Sequence, residues 1–391
     1  MLPLIRKKTV SAAAISAALT VLIFFMTVRG AGSSISGPVR ARDAGLIIGE
    51  LSPGRLNAIT DVSGVKVGHK TIIEGDSIRT GVTAILPHTG NIYSEKVPAA
   101  LFVGNGFGKL SGISQVRELG NIETPIILTN TLSVGTAMEA VVRYTIGLPA
   151  NRDVRTVNPV VGETNDGFLN DIREMRVTEQ DVIEAIELAS GGEVAEGCVG
   201  AGTGTVVFGF KGGIGTSSRV VTLDGGKEYT IGVLAQTNYS GALRIDGVRI
   251  NIDRPNGEAG RGDEGSCMIV IATDAPLSPR NLERLAARGI HGLARTGSFM
   301  SNGSGDYVIA FSTAYRIRRG ESFHNPPELI ANRSMTVLFR AVIEAAEESI
   351  YNSMFMAVTS RGYRGREARA LPVGKVLEII KNSGQKTGRS D

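Results

Sequence analysis

A charged, glycine-rich stretch, Gly260-Arg-Gly-Asp-Glu-Gly265, runs directly into Ser266-Cys-Met-Ile-Val-Ile-Ala-Thr273, an apolar run with the pattern of a buried strand. A glycine followed by a hydroxyl residue at the head of a strand is what a self-splitting hydrolase needs. Gly265 leaves its carbonyl unshielded and admits backbone angles that other residues avoid. The Ser266 hydroxyl attacks that carbonyl, and the ester so formed hydrolyses. The new chain then begins with a serine whose α-amine, with a reference pKa of about 7.7–8.0, accepts a proton near neutral pH. Chemistry of this kind requires no histidine. On spacing alone, an ordinary loop entering a strand explains the same residues more simply.

Other candidate sites are weaker. Gly200-Ala-Gly-Thr-Gly-Thr205 has the look of a phosphate loop, but it lacks the Gly-Lys-Ser/Thr ending and leads into Val206-Val207-Phe208, a strand pattern rather than a helix. No helix N-terminus is there to receive an anion, so tight backbone packing is the better explanation. The four histidines, His69, His88, His291 and His324, lie far apart, and none stands in a nucleophile motif. Cys198 and Cys267 are too few for a disulfide scaffold and lack metal-ligand spacing. Ser304-Gly-Asp306 opens another apolar run; a Ser-x-Asp pair at the head of a strand directs both side chains to one face, although a polar turn fits it too.

The elements that must hold these residues are mostly short strands. Apolar, β-branched runs bounded by Gly, Asn, Asp or Pro fall at 83–86, 99–103, 125–128, 205–210, 230–235, 268–273 and 307–312. Three helices stand out between them. Thr178-Glu-Gln-Asp181 opens one as a capping box, and Gly191-Gly192 follows it. Ser278-Pro279 supplies an N-cap and an N1 proline for the second. The third and longest spans about Met335 to Met356, with Leu338, Val342, Ala345 and Ile350 inward. Strands and helices without regular βαβ alternation predict a layered α+β sandwich.

The chain has 391 residues, and its 50 glycines make up nearly twice the usual share of ~7%. With 42% apolar and 20% charged residues it has a globular balance, which excludes a disordered chain. Residues 1–36 carry Arg6, Lys7, Lys8 and Arg29 and no acid, so the leader accounts for the whole net charge of +4 and the body is neutral. A nucleic-acid partner is therefore not expected. The basic start, the uncharged stretch 9–28 and the small residues after Arg29 have the order of a secretory signal, and the same stretch is long enough to serve as a membrane anchor. Either way the body, residues 37–391, is expected outside the inner membrane, periplasmic or extracellular.

Six blocks together resemble the family of L-aminopeptidase/D-esterases and β-peptidyl aminopeptidases. They are Leu56 to His69, Arg79 to Pro87, Leu128-Thr-Asn-Thr131, Gly162 to Asp171, Gly197 to Gly204, and Asn302-Gly-Ser-Gly-Asp306. The match runs from about Asp43 to Arg361. The resemblance implies a four-layer α/β/β/α sandwich of the N-terminal-nucleophile hydrolase kind, made as one precursor that cuts itself at Gly265–Ser266 into an α chain, 37–265, and a β chain, 266–391. It implies that Ser266 is the nucleophile, that Ser304 and Asp306 orient it and its amine, and that Asn238 supplies an oxyanion contact. Glu163 would receive the substrate's free ammonium group. A buried carboxylate must be paired, and the ammonium would be that partner. Some members carry Tyr two residues after that Glu, where this chain has Asn165. The function implied is removal of N-terminal residues from short peptides, or hydrolysis of amino-acid amides or esters, by an oligomer of αβ pairs needing no metal or cofactor.

Two rivals share these features. Ornithine acetyltransferases have a similar fold and also cleave themselves, but before a Thr, and they pass the acyl group to an amine; Ser266 and an exported body argue against them. An inactive envelope protein that kept only the fold is opposed by the joint presence of Ser266, Asn238, Ser304 and Asp306.

Overall fold

Strand formation follows the apolar runs. The computed structural model describes residues 37–253, 264–322 and 326–387, and these form one compact unit. The leader, most of the glycine-rich stretch ahead of Gly265, and His324 lie outside the described residues. Nine strands carry the architecture. The first five are β1 (Lys66–Glu74), β2 (Ile78–Leu86), β3 (Glu95–Gly106), β4 (Ile126–Asn130) and β5 (Val160–Thr164). The others are β6 (Ile214–Thr222), β7 (Glu228–Asn238), β8 (Glu264–Thr273) and β9 (Gly303–Ser312). β1-β2-β4-β5 make one sheet, and β3-β9-β8-β7-β6 run through the second.

Alternation along the strands places the core. Ile126, Leu128 and Val160 of the first sheet meet Leu234, Met268, Val270, Ala272, Ile309 and Phe311 of the second in one buried cluster. The intervening residues Ile127 and Val161 turn the other way, toward Ala137, Val141, Val182 and Ile186. Those belong to α1 (Val134–Gly147) and α2 (Glu179–Glu187), which cover the outer face of the first sheet. On the far side, α3 (Pro279–Arg295) and α4 (Met335–Phe355) cover the second sheet. The layers are therefore α/β/β/α, the expected sandwich.

The caps behave as their sequences dictate. Thr178 Oγ1 accepts from the Asp181 amide and Asp181 returns the bond, while Ser278 Oγ accepts from the Asn281 amide ahead of the N1 proline. Glycine abundance is explained by layer contact: a side chain at Gly68 would overlap the Ala185 carbonyl of α2, and one at Gly215 the Ser349 carbonyl of α4. The run 205–210 is not a single strand. Phe208 and Gly209 have φ of 52° and 84°, and this two-residue reversal folds 206–207 back onto 210–211 as a hairpin.

Among the described residues, no helix is long and apolar enough to cross a membrane. Nor is there a group of three or more His, Cys, Asp and Glu that could hold a metal ion.

Candidate active site

Three neighbouring strands of the second sheet bring the candidate residues together. β8 pairs antiparallel with β7, which sets Asn238 directly opposite Ser266. It pairs parallel with β9, which sets Gly265 opposite Ser304, Ser266 opposite Gly305 and Cys267 opposite Asp306. Ser266, Asn238, Ser304 and Asp306 are all buried. Asn238 is the last residue of β7 rather than part of a turn after it, so its side chain shares a face with Ser266, as cross-strand partners do.

That shared face is the inner one. Ser266 has the parity of Met268, Val270 and Ala272, all in the cluster between the sheets. Its Oγ lies 3.3 Å from the backbone N of Asn165, which donates to it across the gap from the end of β5. The Asn238 amide is oriented by its own oxygen, which accepts from the Val206 amide at 3.1 Å. The Asn165 side chain does not enter the site: its Oδ1 accepts from the Gly167 amide at 2.9 Å, closing a small turn. What this position offers Ser266 is its main-chain N–H.

Ser304 and Asp306 lie on the opposite face. A Cβ built on Gly265 would sit 3.2 Å from Ser304 Oγ and 3.1 Å from Tyr239 Cβ. The alternation that turns Gly265 away from Ser266 thus turns it toward Ser304. The Ser-x-Asp pair does share one face, but this is the helix-covered one, and it flanks the backbone at Gly265–Ser266 rather than the Ser266 hydroxyl. Burial pushes the Asp306 carboxyl up to about 6, while the nearby Ser304 hydroxyl opposes the shift. The hydroxyl and carboxyl are not aligned as a hydrogen bond: among the described residues, Ser304 Oγ and both Asp306 oxygens are buried without a hydrogen-bond partner. Burial, and the charge of Asp306, push the Cys267 thiol well up, so it is a neutral wall of this compartment.

Glu163, near the end of β5, is buried and already engaged. It accepts from the Thr131 hydroxyl and from the Lys109 amide at 3.0 Å, and Lys109 Nζ stands 3.9 Å away. Burial raises its carboxyl, and these three contacts oppose the rise. The expectation of a carboxylate paired by substrate alone is thus modified. Thr131 and Lys109 hold Glu163 in place; Thr131 lies in one of the matching blocks, and Lys109 had no sequence signal. A Cβ built on Gly108 would lie 3.1 Å from Gly305 Cα and 3.2 Å from Glu163 Oε1, so the carboxylate is one residue's breadth from the partner of Ser266.

The described histidines are structural or peripheral. His69 Nδ1 is 2.9 Å from Thr83 Oγ1, and burial lowers its pKa to about 4. His88 Nε2 bonds the Glu95 carbonyl at 2.8 Å, and His291 is exposed on α3. The 200–205 run is packing: side chains on Gly200, Gly202 or Gly204 would overlap Thr83, the Ile214 amide or the Arg79 carbonyl.

The model of peptidase family S58 matches residues 57–368. Beta-peptidyl aminopeptidase BapA of Sphingosinicella xenopeptidilytica is 40% identical over 392 residues, spanning 94% of this chain and 96% of that one. Among solved structures, a Burkholderia sp. beta-aminopeptidase matches with a TM-score of 0.80 at 40% identity, covering 88% of this chain and 99% of its own. The L-aminopeptidase D-Ala-esterase/amidase of Ochrobactrum anthropi gives 0.82 at 36% identity, with 88% and 99% covered. That enzyme is described as a prototype of the serine aminopeptidases and a variant of the Ntn hydrolase fold.

Proposed function

The chain belongs to peptidase family S58, the serine aminopeptidases of Ntn hydrolase fold, and on that footing we propose that it is an exported enzyme that cuts itself at Gly265–Ser266 and then uses Ser266 to release N-terminal residues from short peptides, amino-acid amides or esters. One observation carries the reading. Ser266 heads a buried strand with its hydroxyl under the Asn165 N–H and opposite the Asn238 amide, while Ser304 and Asp306 flank the bond to be cut from the other face.

Self-cleavage moves the Gly265 acyl group from the Ser266 nitrogen to its oxygen. Water then hydrolyses the ester, leaving a Gly265 carboxylate and a free α-amine on Ser266. With Gly265 released, the amine is next to Ser304 and Asp306, which hold it. In the peptidase reaction the hydroxyl attacks the substrate carbonyl and gives its proton to that amine. The Asn238 side chain, opposite Ser266, faces the developing oxyanion, an interaction whose loss costs about 3 kcal/mol in other hydrolases, and the Asn165 N–H orients the attacking oxygen. The amine passes the proton to the leaving group, and water releases the acyl product. Glu163 receives the substrate ammonium, which excludes internal peptide bonds. Assembly into several αβ pairs, and a leader that is either removed or kept as an anchor through residues 9–28, complete the proposal.

A panel of p-nitroanilides of L-Ala, D-Ala, β-Ala and Gly, each with its N-acetyl counterpart, tests the reading. Turnover of free-amine substrates only is expected; equal turnover of blocked and free substrates contradicts it. Added acceptor amine should not divert the acyl group, as it would in a transferase.

A further inference from the structure

Asn165 brings no side chain to Ser266; its N–H sits where β5 ends at Thr164 and the loop 165–170 begins, so both set its position. That loop is tied on two sides. Inside, Asn170 Nδ2 donates to Asp166 Oδ1 at 3.0 Å, and the Leu169 and Asn170 amides both donate to the Asp166 carbonyl. Outside lies a short hairpin from the C-terminal part of the chain, Ser360–Arg361 paired with Glu367–Ala368. The Tyr363 amide donates to the Leu169 carbonyl at 2.7 Å, and Gly362 approaches that carbonyl so closely that any side chain there would overlap it. From the same hairpin, Arg366 Nη1 donates to the carbonyls of Gly167 and Phe168, each at 3.4 Å. Its guanidinium lies 5.4 Å from the Phe168 ring centroid and 5.8 Å from that of Tyr363, so two aromatic rings hold it in place.

We propose that Arg366 is a positioning residue for the aminopeptidase reaction: by holding the Gly167 and Phe168 carbonyls, it fixes the turn that sets the Asn165 N–H over Ser266 Oγ. The proposal rests on the serine aminopeptidase reading of the site. Three features favour a role in catalysis over one in folding alone. The loop's contact with the nucleophile is a single main-chain donor at 3.3 Å. The Asn165 side chain is exposed, so beyond the buried Thr164 that ends β5 the loop alone locates the N–H. The two carbonyls that Arg366 holds lie two and three residues from the N–H, at the exit of the turn closed by the Asn165 side chain. A small displacement of such a donor misplaces the attacking oxygen without touching Glu163, and so acts on the transition state rather than on substrate binding.

The test compares Arg366→Met, which keeps the stem between the two rings and removes every donor, with Arg366→Lys, which restores a donor. Turnover of a free-amine p-nitroanilide is divided by the number of active sites counted in an acyl-enzyme burst. For Arg366→Met, kcat per active site should fall by about tenfold or more, with KM within about twofold of wild type. Arg366→Lys should recover most of that loss. A purely structural role predicts fewer active sites and a lower Tm but unchanged kcat per site, and that result overturns the proposal. Should Arg366→Met fail to fold, Arg366→Gln is read in the same way. A wild type that turns over no free-amine substrate overturns the aminopeptidase reading, and with it this role; an active wild type matched by the donor-free variant overturns this role alone.

Discussion

Gly265 and Ser304 stand opposite each other on neighbouring parallel strands, and a Cβ on Gly265 would come within 3.2 Å of the Ser304 hydroxyl. The same Cβ would lie 3.1 Å from Tyr239 Cβ and 3.2 Å from Tyr239 Cα. Gly265 is therefore enclosed from both sides, with backbone on one of them. Gly265→Ala forces β8 to shift by a few tenths of an ångström, and Gly265→Val forces more. Self-cleavage should slow by about tenfold or more for Ala, since a misplacement of that order is costly to a reacting geometry, and should stop for Val while the uncut chain still folds. A time course of processing on a denaturing gel checks this. Wild-type processing of Gly265→Ala would show that the crowding at this position is irrelevant to the cut.

Asp306 makes a second prediction, on stability. Its carboxyl is raised from 3.8 to about 6 by burial, so the folded uncut chain binds this proton more tightly than the unfolded chain. The stabilisation from that proton is complete below pH ~4 and is lost as pH rises through about 6. At pH 8 the deficit is about 3 kcal/mol, taking 1.36 kcal/mol per unit. In a Ser266→Ala background, which prevents the cut, Asp306→Asn should therefore be more stable than Asp306 at pH 8 by up to that amount. The advantage should vanish below pH 4. Denaturant melts of the two proteins across pH 3.5–8 measure the difference, and a difference independent of pH removes the buried-charge account.

Glu163→Gln can keep its oxygen toward the Lys109 amide and turn its NH2 to donate to the Thr131 hydroxyl, so the fold should survive it. The lost charge should raise KM for free-amine substrates by about 2–3 kcal/mol, or roughly 30- to 150-fold. Steady-state kinetics on one amino-acid p-nitroanilide suffices. An unchanged KM would leave Glu163 as a support for Thr131 and the 107–109 loop.

The pH profile of kcat/KM follows from the proton acceptor. If the Ser266 amine is the base, activity rises with pH through one ionisation near or above neutrality, without the step at ~6.5 of an ordinary histidine. The Asp306 carboxylate raises that amine's pKa, so Asp306→Asn should move the rise to lower pH and reduce the plateau. Replacing His69, His88, His291 or His324 singly should leave the rise in place. His69 in particular is kept neutral by burial, at about 4. Loss of turnover on one histidine substitution, with both chains formed and folded, would point to a serine–histidine mechanism.

Much of this architecture was legible where local chemistry decides it. The capping box at Thr178, the Ser278-Pro279 start and the apolar strands other than the 205–210 run lie where their residues predict. Helix α1 was not legible: it follows a turn in which Asn130 Oδ1 accepts from the Leu132 and Ser133 amides, so the cap signal sits several residues early and Val134-Gly135 looks like a break. The site was half legible. Ser266, Ser304, Asp306, Asn238 and Glu163 carry polar side chains inside or beside apolar runs and could be singled out, chiefly through the family resemblance. The face each one uses depends on pairings between residues as distant as Asn238, Ser266 and Ser304. A main-chain donor such as the Asn165 N–H has no sequence signature at all.

Self-cleavage at Gly265–Ser266 is read from the mass of the purified protein. Intact mass spectrometry should find two polypeptides, the smaller beginning Ser-Cys-Met-Ile-Val, and Ser266→Ala should give a single uncut chain without activity. A wild type that is one unbroken chain yet fully active as a peptidase would contradict the account, because Ser266 would then have no amine to act as its base.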